Sequence, residues 1–326
     1  MPPPIDSFIS FRKTIAAALI DIESMSRQAA TRQSEATALQ KARTICLAIN
    51  LIIGEAFHRL TPHRSMLSFP SDKCGVTTKR NYGECVPKNE ALLMYSGGLD
   101  SSASAIVMLE QFERLHLLTY NYGYGQLFLK WAKKGANGLI EVFGPQRFVH
   151  EIASVKEIFQ RIFVRSAVRD YKDYKSRFIW CLACKLSMHT ANIIYCLEHG
   201  LNTASDGSSA ETAYYVEQMP QSIDAIRHFY SEFGIDFVTP VYNIGSREAK
   251  LKLLAEKGVK SVGIAVRDRN PGTQPLCVVG NLIHFASTFL GKHPNYNQEL
   301  VLRFLQQKTQ IARRIIEARV KAGAIQ

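Results

Sequence analysis

The sequence predicts an α/β fold built on a parallel sheet, and three observations carry that prediction. Short apolar runs at 91–95, 116–120, 146–152 and 201–205 read as strands. Segments of helical periodicity separate them, an alternation that marks a parallel sheet covered by crossover helices. The first run passes directly into a glycine turn and a helix. With 326 residues, 46% hydrophobic and 21% charged, the chain is long enough for about two domains of ordinary globular composition.

Taken in order, residues 6–60 read as two helices rich in Ala, Ile and Leu, and Thr61-Pro62 ends that block. The proline- and glycine-bearing stretch 61–88 reads as a linker. Ala91–Tyr95 is the first strand, and its helix is expected from Ala103 to Phe112. After Pro240, a helix is expected over Ser246–Lys257, with Ser246 as its cap, Glu248, Lys250 and Lys252 on a charged face, and Gly258 as its stop. The last helix, about Asn297 to Lys321, carries Leu300, Val301, Phe304, Leu305, Ile311, Ile315, Ile316 and Val320 at helical period. Its other face holds Arg303, Lys308, Arg313, Arg314, Arg319 and Lys321, which either contact RNA or cover the apolar stripe as a solvated surface. The division expected is 1–88 as a helical extension and linker, 89–280 as the sheet domain, and 281–326 as a C-terminal helical segment.

Lys and Arg number 40 against 28 Asp and Glu, a formal charge of +12 that suits a polyanionic partner such as RNA. The longest apolar stretch, Ile45 to Phe57, is broken by Asn50 and Glu55 and is too short to span a membrane. Met1-Pro2-Pro3-Pro4 lacks the build of a signal peptide, so a cytoplasmic location is expected. In that compartment the seven cysteines read as metal ligands or reactive thiols rather than disulfides.

Ser96-Gly97-Gly98-Leu99-Asp100-Ser101-Ser102 follows the first strand and opens its helix. This is the chemistry of a phosphate cradle: glycines admit close backbone approach, serines add donors, and a helix N-terminus supplies partial positive charge. The loop has no lysine, so it is not the G-x-x-x-x-G-K-[ST] nucleotide loop. The S-G-G-x-D-S pattern resembles the PP-loop family of ATP pyrophosphatases, of the adenine nucleotide alpha hydrolase (HUP) fold type. The resemblance implies an enzyme that holds ATP and Mg²⁺ at Ser96, Gly97, Gly98, Leu99, Asp100, Ser101 and Ser102 and transfers AMP to a substrate oxygen, with Asp100 and Ser101 in catalytic positions.

Cys181-Leu182-Ala183-Cys184 is expected to open a helix over Lys185–Glu198, and Cys277 lies far downstream in Gly272-Thr273-Gln274-Pro275-Leu276-Cys277. A helix end and Lys185 are expected to lower the two thiol pKa values. Three thiolates leave one position of a tetrahedral or cubane site open. With the loop, this resembles the iron–sulfur branch of PP-loop enzymes that thiolate tRNA, the 2-thiocytidine synthetases among them. That resemblance implies that Cys181, Cys184 and Cys277 bind a four-iron four-sulfur cluster, that Cys181 and Cys184 take part in catalysis, and that a sulfide or a sulfur-donor protein feeds sulfur to a tRNA or nucleoside. A sulfur-carrying thiol pair, a zinc site and ordinary buried thiols remain alternatives for the C-x-x-C. Cys46 and Cys196 read as core, and Cys74 and Cys85 as possible extra ligands.

Ser205-Asp206-Gly207-Ser208-Ser209-Ala210-Glu211-Thr212 resembles the loop after the fourth strand in this family, where Asp206 would help hold Mg²⁺; the same residues also make a turn and helix cap. The thiolases' G-H-x-x-D-D pattern is absent. Tyr122-Gly123-Tyr124-Gly125-Gln126 resembles a loop of the 7-cyano-7-deazaguanine synthases, and Tyr122 or Tyr124 either stacks on the adenine or packs inward. Arg267-Asp268-Arg269-Asn270 offers arginines to phosphate or forms a surface turn. Arg161, Arg165, Arg169, Lys172, Lys175 and Arg177, interleaved with Phe163, Tyr171, Tyr174 and Phe178, suit single-stranded RNA or helix packing. Nitrogen transfer after adenylation, and a non-catalytic nucleotide- and RNA-binding sensor, are the other functions open to this sequence.

Overall fold

The computed structural model describes residues 89–176, 178–259, 273–283 and 295–324. The readings made for 1–88, Cys46, Cys74 and Cys85 among them, and for Arg177 and Arg267-Asp268-Arg269-Asn270 lie outside the described residues.

The described chain runs β1 (Glu90–Met94), α1 (Leu99–Met108), β2 (Arg114–Asn121), β3 (Gln126–Leu127), α2 (Trp131–Phe143), β4 (Phe148–Ser154), α3 (Lys156–Ile162), α4 (Ala167–Tyr174) and α5 (Phe178–His199). It continues through β5 (Thr203–Ser205), α6 (Pro220–Ser231), β6 (Asp236–Val238), α7 (Arg247–Glu256), β7 (Leu276–Cys277), α8 (Val278–Ile283) and α9 (Gln298–Ala324). Five strands form one parallel sheet in the order β4-β2-β1-β5-β6. The order reverses between β1 and β5, and an open α/β sheet binds ligands beyond the carboxyl ends of its strands at such a switch point.

Side-chain alternation along β1 divides the core. Leu92 joins the cluster formed with α3, α5, α6 and α9, while Ala91 and Leu93 join α1, α2 and α7 on the opposite face. All three residues are fully buried, each leucine contributing about 2 kcal/mol of transfer free energy. The α/β parallel-sheet fold read from the sequence is therefore the fold observed. No described helix is long and apolar enough to cross a membrane.

Several boundaries shift for identifiable reasons. α1 begins at Leu99 rather than Ala103, because Leu99 already lies on the buried stripe with Ala103 and Ile106. α5 begins at Phe178 rather than Lys185, because Phe178, Ile179, Leu182, Ala183 and Leu186 extend its apolar face upstream. α7 meets its expected ends: Ser246 Oγ accepts from Ala249 N, and Gly258 follows at φ +75°. α9 keeps its apolar stripe apart from Val320, which is exposed.

Candidate active site

The glycine loop lies at the C-terminal edge of β1, on the switch point. Gly98 is the extended N-cap of α1, and no side chain caps the helix, so the first-turn N–H groups meet no capping oxygen. Gly97 takes φ +75°, and an added Cβ there would stand 2.1 Å from the Thr273 carbonyl oxygen. The serines organise the loop internally. Ser96 Oγ lies 3.1 Å from Ser101 Oγ, Gly98 N donates to Ser96 Oγ, and Ser101 Oγ donates to the Gly98 carbonyl. Ser102 is fully buried, 3.2 Å from the Tyr95 hydroxyl, and so supports the loop from beneath. Thr273 Oγ1 donates to the Gly97 carbonyl at 2.6 Å, joining the segment before Cys277 to the loop.

The loop after β5 faces α1 and supplies two ion pairs that sequence reading does not anticipate. Asp206 is buried, 2.6 Å from Lys185 Nζ, and accepts from Ser208 N and Ser208 Oγ. Burial alone would raise its carboxyl pKa, but Lys185, His189 and the Ser208 backbone N–H hold it below the usual range. These contacts occupy both oxygens of the residue read as a Mg²⁺ holder. Lys250, read as part of a charged surface, is instead 1% exposed. Its Nζ reaches Asp100 Oδ1 at 2.6 Å, Ser209 Oγ at 2.7 Å and Glu211 Oε2 at 3.4 Å. The available sequence signal was its position four residues before Leu254, the other buried residue of α7.

The three thiols come from two places. α5 carries Cys181 and Cys184 within the helix rather than at its N-terminus. β7 pairs antiparallel with β3, setting Cys277 opposite Gln126 and carrying it to the loop after β2. There Tyr122 Oη lies 3.2 Å from Cys277 Sγ, and Gly280 N donates to the same sulfur at 3.1 Å. The expectation of lowered thiol pKa values is reversed. Burial pushes Cys181 and Cys184 well above the ordinary range and raises Cys277 as well. The charges of Glu217 and of neighbouring thiols add to the effect at Cys181 and Cys184, while Lys185 opposes it weakly at Cys184. A helix dipole acts only within its first turn, so it cannot offset this burial. Glu217 also raises Cys277; its Oε2 is buried without a hydrogen-bond partner.

Sulfur donors are the right kind for a thiophilic centre. Among the described residues, no three His, Cys, Asp or Glu side chains close around a single ion. Cys196 is buried in the core as expected, its thiol pushed up to about 12 by burial.

The aromatic and basic readings change with the structure. Tyr122 is 1% exposed and packs against Tyr124 and Phe159, so it supports Cys277 from the core instead of presenting a stacking face. Phe163, Tyr174 and Phe178 are also buried, and only Tyr171 of the four interleaved aromatics is exposed. On α9, Lys308 is fully buried against Asp170, while Arg313 and Arg319 pair with Glu232 and Glu198. Carboxylates thus pair with three of the six cations on the face read as either RNA-contacting or a solvated surface. An open groove of about 630 Å³ is lined by Asp173, Tyr174, Arg303, Gln306, Gln307 and Gln310, none of them a loop or thiol residue.

No known family profile matches the chain, and no curated protein matches it. Solved structures show a distant likeness to it. A 4-thiouridine synthetase–RNA complex with bound ATP is 14% identical, at TM-score 0.41, over 71% of this chain and 53% of that one. NMN synthetase from Francisella tularensis is 12% identical, at TM-score 0.37, over 69% and 87%. The U34-tRNA thiolase NcsA from Methanococcus maripaludis, with its [4Fe-4S] cluster, is 13% identical, at TM-score 0.36, over 68% and 72%. At this distance, its chemistry is read from its own residues.

Proposed function

We propose that the chain is a PP-loop ATP pyrophosphatase that adenylates a substrate oxygen and then replaces that oxygen with sulfur. The observation that carries this reading is the uncapped start of α1 behind Gly97-Gly98, at the switch point of a parallel sheet. Mg-ATP binds with its β- and γ-phosphates at the Ser96–Ser102 loop. The substrate carbonyl oxygen forms a bond to the α-phosphorus as the bond to the bridging oxygen breaks, and pyrophosphate leaves. A sulfur nucleophile then bonds to the substrate carbon, and AMP departs with the original oxygen.

In this scheme the loop N–H groups and the Ser96 and Ser101 hydroxyls fix the phosphates and stabilise charge developing on the leaving pyrophosphate. Asp100 is half-exposed in the first turn of α1, where it can hold the accompanying Mg²⁺. In this reading Cys181, Cys184 and Cys277 would be the ligands of a four-iron four-sulfur cluster, which when bound would supply an open coordination position for sulfur. Cys181, Cys184 and Cys277 are partly buried against the core that contains Tyr122 and Phe159. The +12 charge suits an RNA or nucleotide acceptor.

Anaerobic purification followed by an absorption spectrum and metal counts tests the sulfur half. A brown protein with about four irons, lost in Cys181→Ala, supports it; zinc without iron refutes the cluster. Magnesium-dependent ATP binding, lost when Asp100 and Ser101 are replaced by alanine, tests the adenylation half. Product analysis with sulfide against ammonia separates sulfur from nitrogen transfer.

A further inference from the structure

We propose that Lys250 is a positioning residue of the phosphate site, supplying from α7 the cation that the Ser96–Ser102 loop lacks. This inference rests on the ATP reading above. Its ammonium is 1% exposed and has three acceptors for its three N–H bonds, Asp100 Oδ1, Ser209 Oγ and Glu211 Oε2. Those acceptors belong to different elements. Asp100 is in the first turn of α1, while Ser209 and Glu211 are in the loop after β5, the two sides of the switch point.

The exposures assign the role. The Asp100 and Glu211 side chains are 40% and 45% exposed, whereas Lys250 is sealed behind them. Lys250 therefore acts through its partners. It cancels one of two negative charges at the mouth of the loop and fixes both carboxylates at one separation. Without it, Asp100 and Glu211 would repel each other and an incoming triphosphate. The other buried lysine among the described residues, Lys308, is tied to Asp170 and Ser166 and touches no loop residue. It provides a comparison in which the same chemistry has no site beside it.

The test is equilibrium binding of Mg-ATP, inorganic pyrophosphate and AMP to the full chain and to Lys250→Met, with a thermal melt of each. Lys250→Met is expected to bind ATP and pyrophosphate at least about tenfold more weakly and AMP within about twofold of wild type. Equal losses for all three ligands, or unchanged affinity for pyrophosphate, would overturn the proposal and leave the ATP reading standing. A wild-type chain that binds no Mg-ATP would overturn that reading, and this one with it. Should Lys250→Met not fold, Ser209→Ala removes one acceptor without stranding a charge. It is expected to weaken pyrophosphate about threefold while sparing AMP, and no change in pyrophosphate affinity would count against the proposal.

Discussion

Lys185 Nζ lies 2.6 Å from Asp206 Oδ2, tying the residue after the C-x-x-C to the loop after β5. The Asp206 side chain is 3% exposed, so removing either partner strands a charge in the interior. Asp206→Asn and Lys185→Met are each expected to cost about 3 kcal/mol, and the double variant less than the sum, read by denaturant melts. The pH dependence has a fixed sign. The folded carboxyl lies below its unfolded value, so its contribution is complete above the ordinary carboxylate range and is lost as pH falls through the folded pKa.

His189 provides a second pH signature. Burial lowers its pKa to about 3, helped by the charge on Lys185, and its Nδ1 lies 3.0 Å from the Tyr230 hydroxyl. The unfolded chain binds a proton near pH 6.5 that the folded chain refuses until about pH 3. Stability is therefore expected to fall by about 1.4 kcal/mol per pH unit below 6.5 from this group alone. His189→Gln should flatten that limb of the stability–pH curve.

Gly97→Ala is expected to abolish measurable ATP binding. The new methyl carbon would meet the Thr273 carbonyl oxygen and Ala132 Cα at a φ of +75°, so the loop must move. Circular dichroism should still report a folded sheet, since the clash is confined to the loop and its cover.

Cys184→Ala is expected to lose bound iron in anaerobic preparations, while Cys196→Ala should retain it. Cys196 lies fully in the core and serves as a packing residue. Its truncation should cost about 1 kcal/mol, visible as a lower melting temperature alone.

Lys308→Met is expected to destabilise the chain by about 3–5 kcal/mol without changing ATP affinity. It leaves Asp170, fully buried, facing only the Ser166 hydroxyl. Asp170→Asn in the same chain should restore part of the loss.

The site was legible where a local pattern and its tertiary use coincide. An apolar run ending in Ser96-Gly97-Gly98 can hardly be other than a buried strand entering a tight turn, and it is both. β6 was not legible because Asp236–Val238 has only one buried side chain, Phe237. β3 and β7 are two residues each, below any periodicity, yet their pairing places Cys277. The thiol pKa direction failed because helix ends are local, whereas burial depends on the whole fold. Lys250 failed for a similar reason: charge along a helix reads as surface until its three acceptors are known.

The hydroxyl of Thr273 grips the Gly97 carbonyl, and four residues later the same ribbon of chain ends in Cys277. The glycine bend and the Cys277 thiol are thus two ends of one short tether. Whatever tightens either end narrows the freedom of the other, so under the proposed function a ligand at one end is expected to change affinity at the other, by the same factor in each direction.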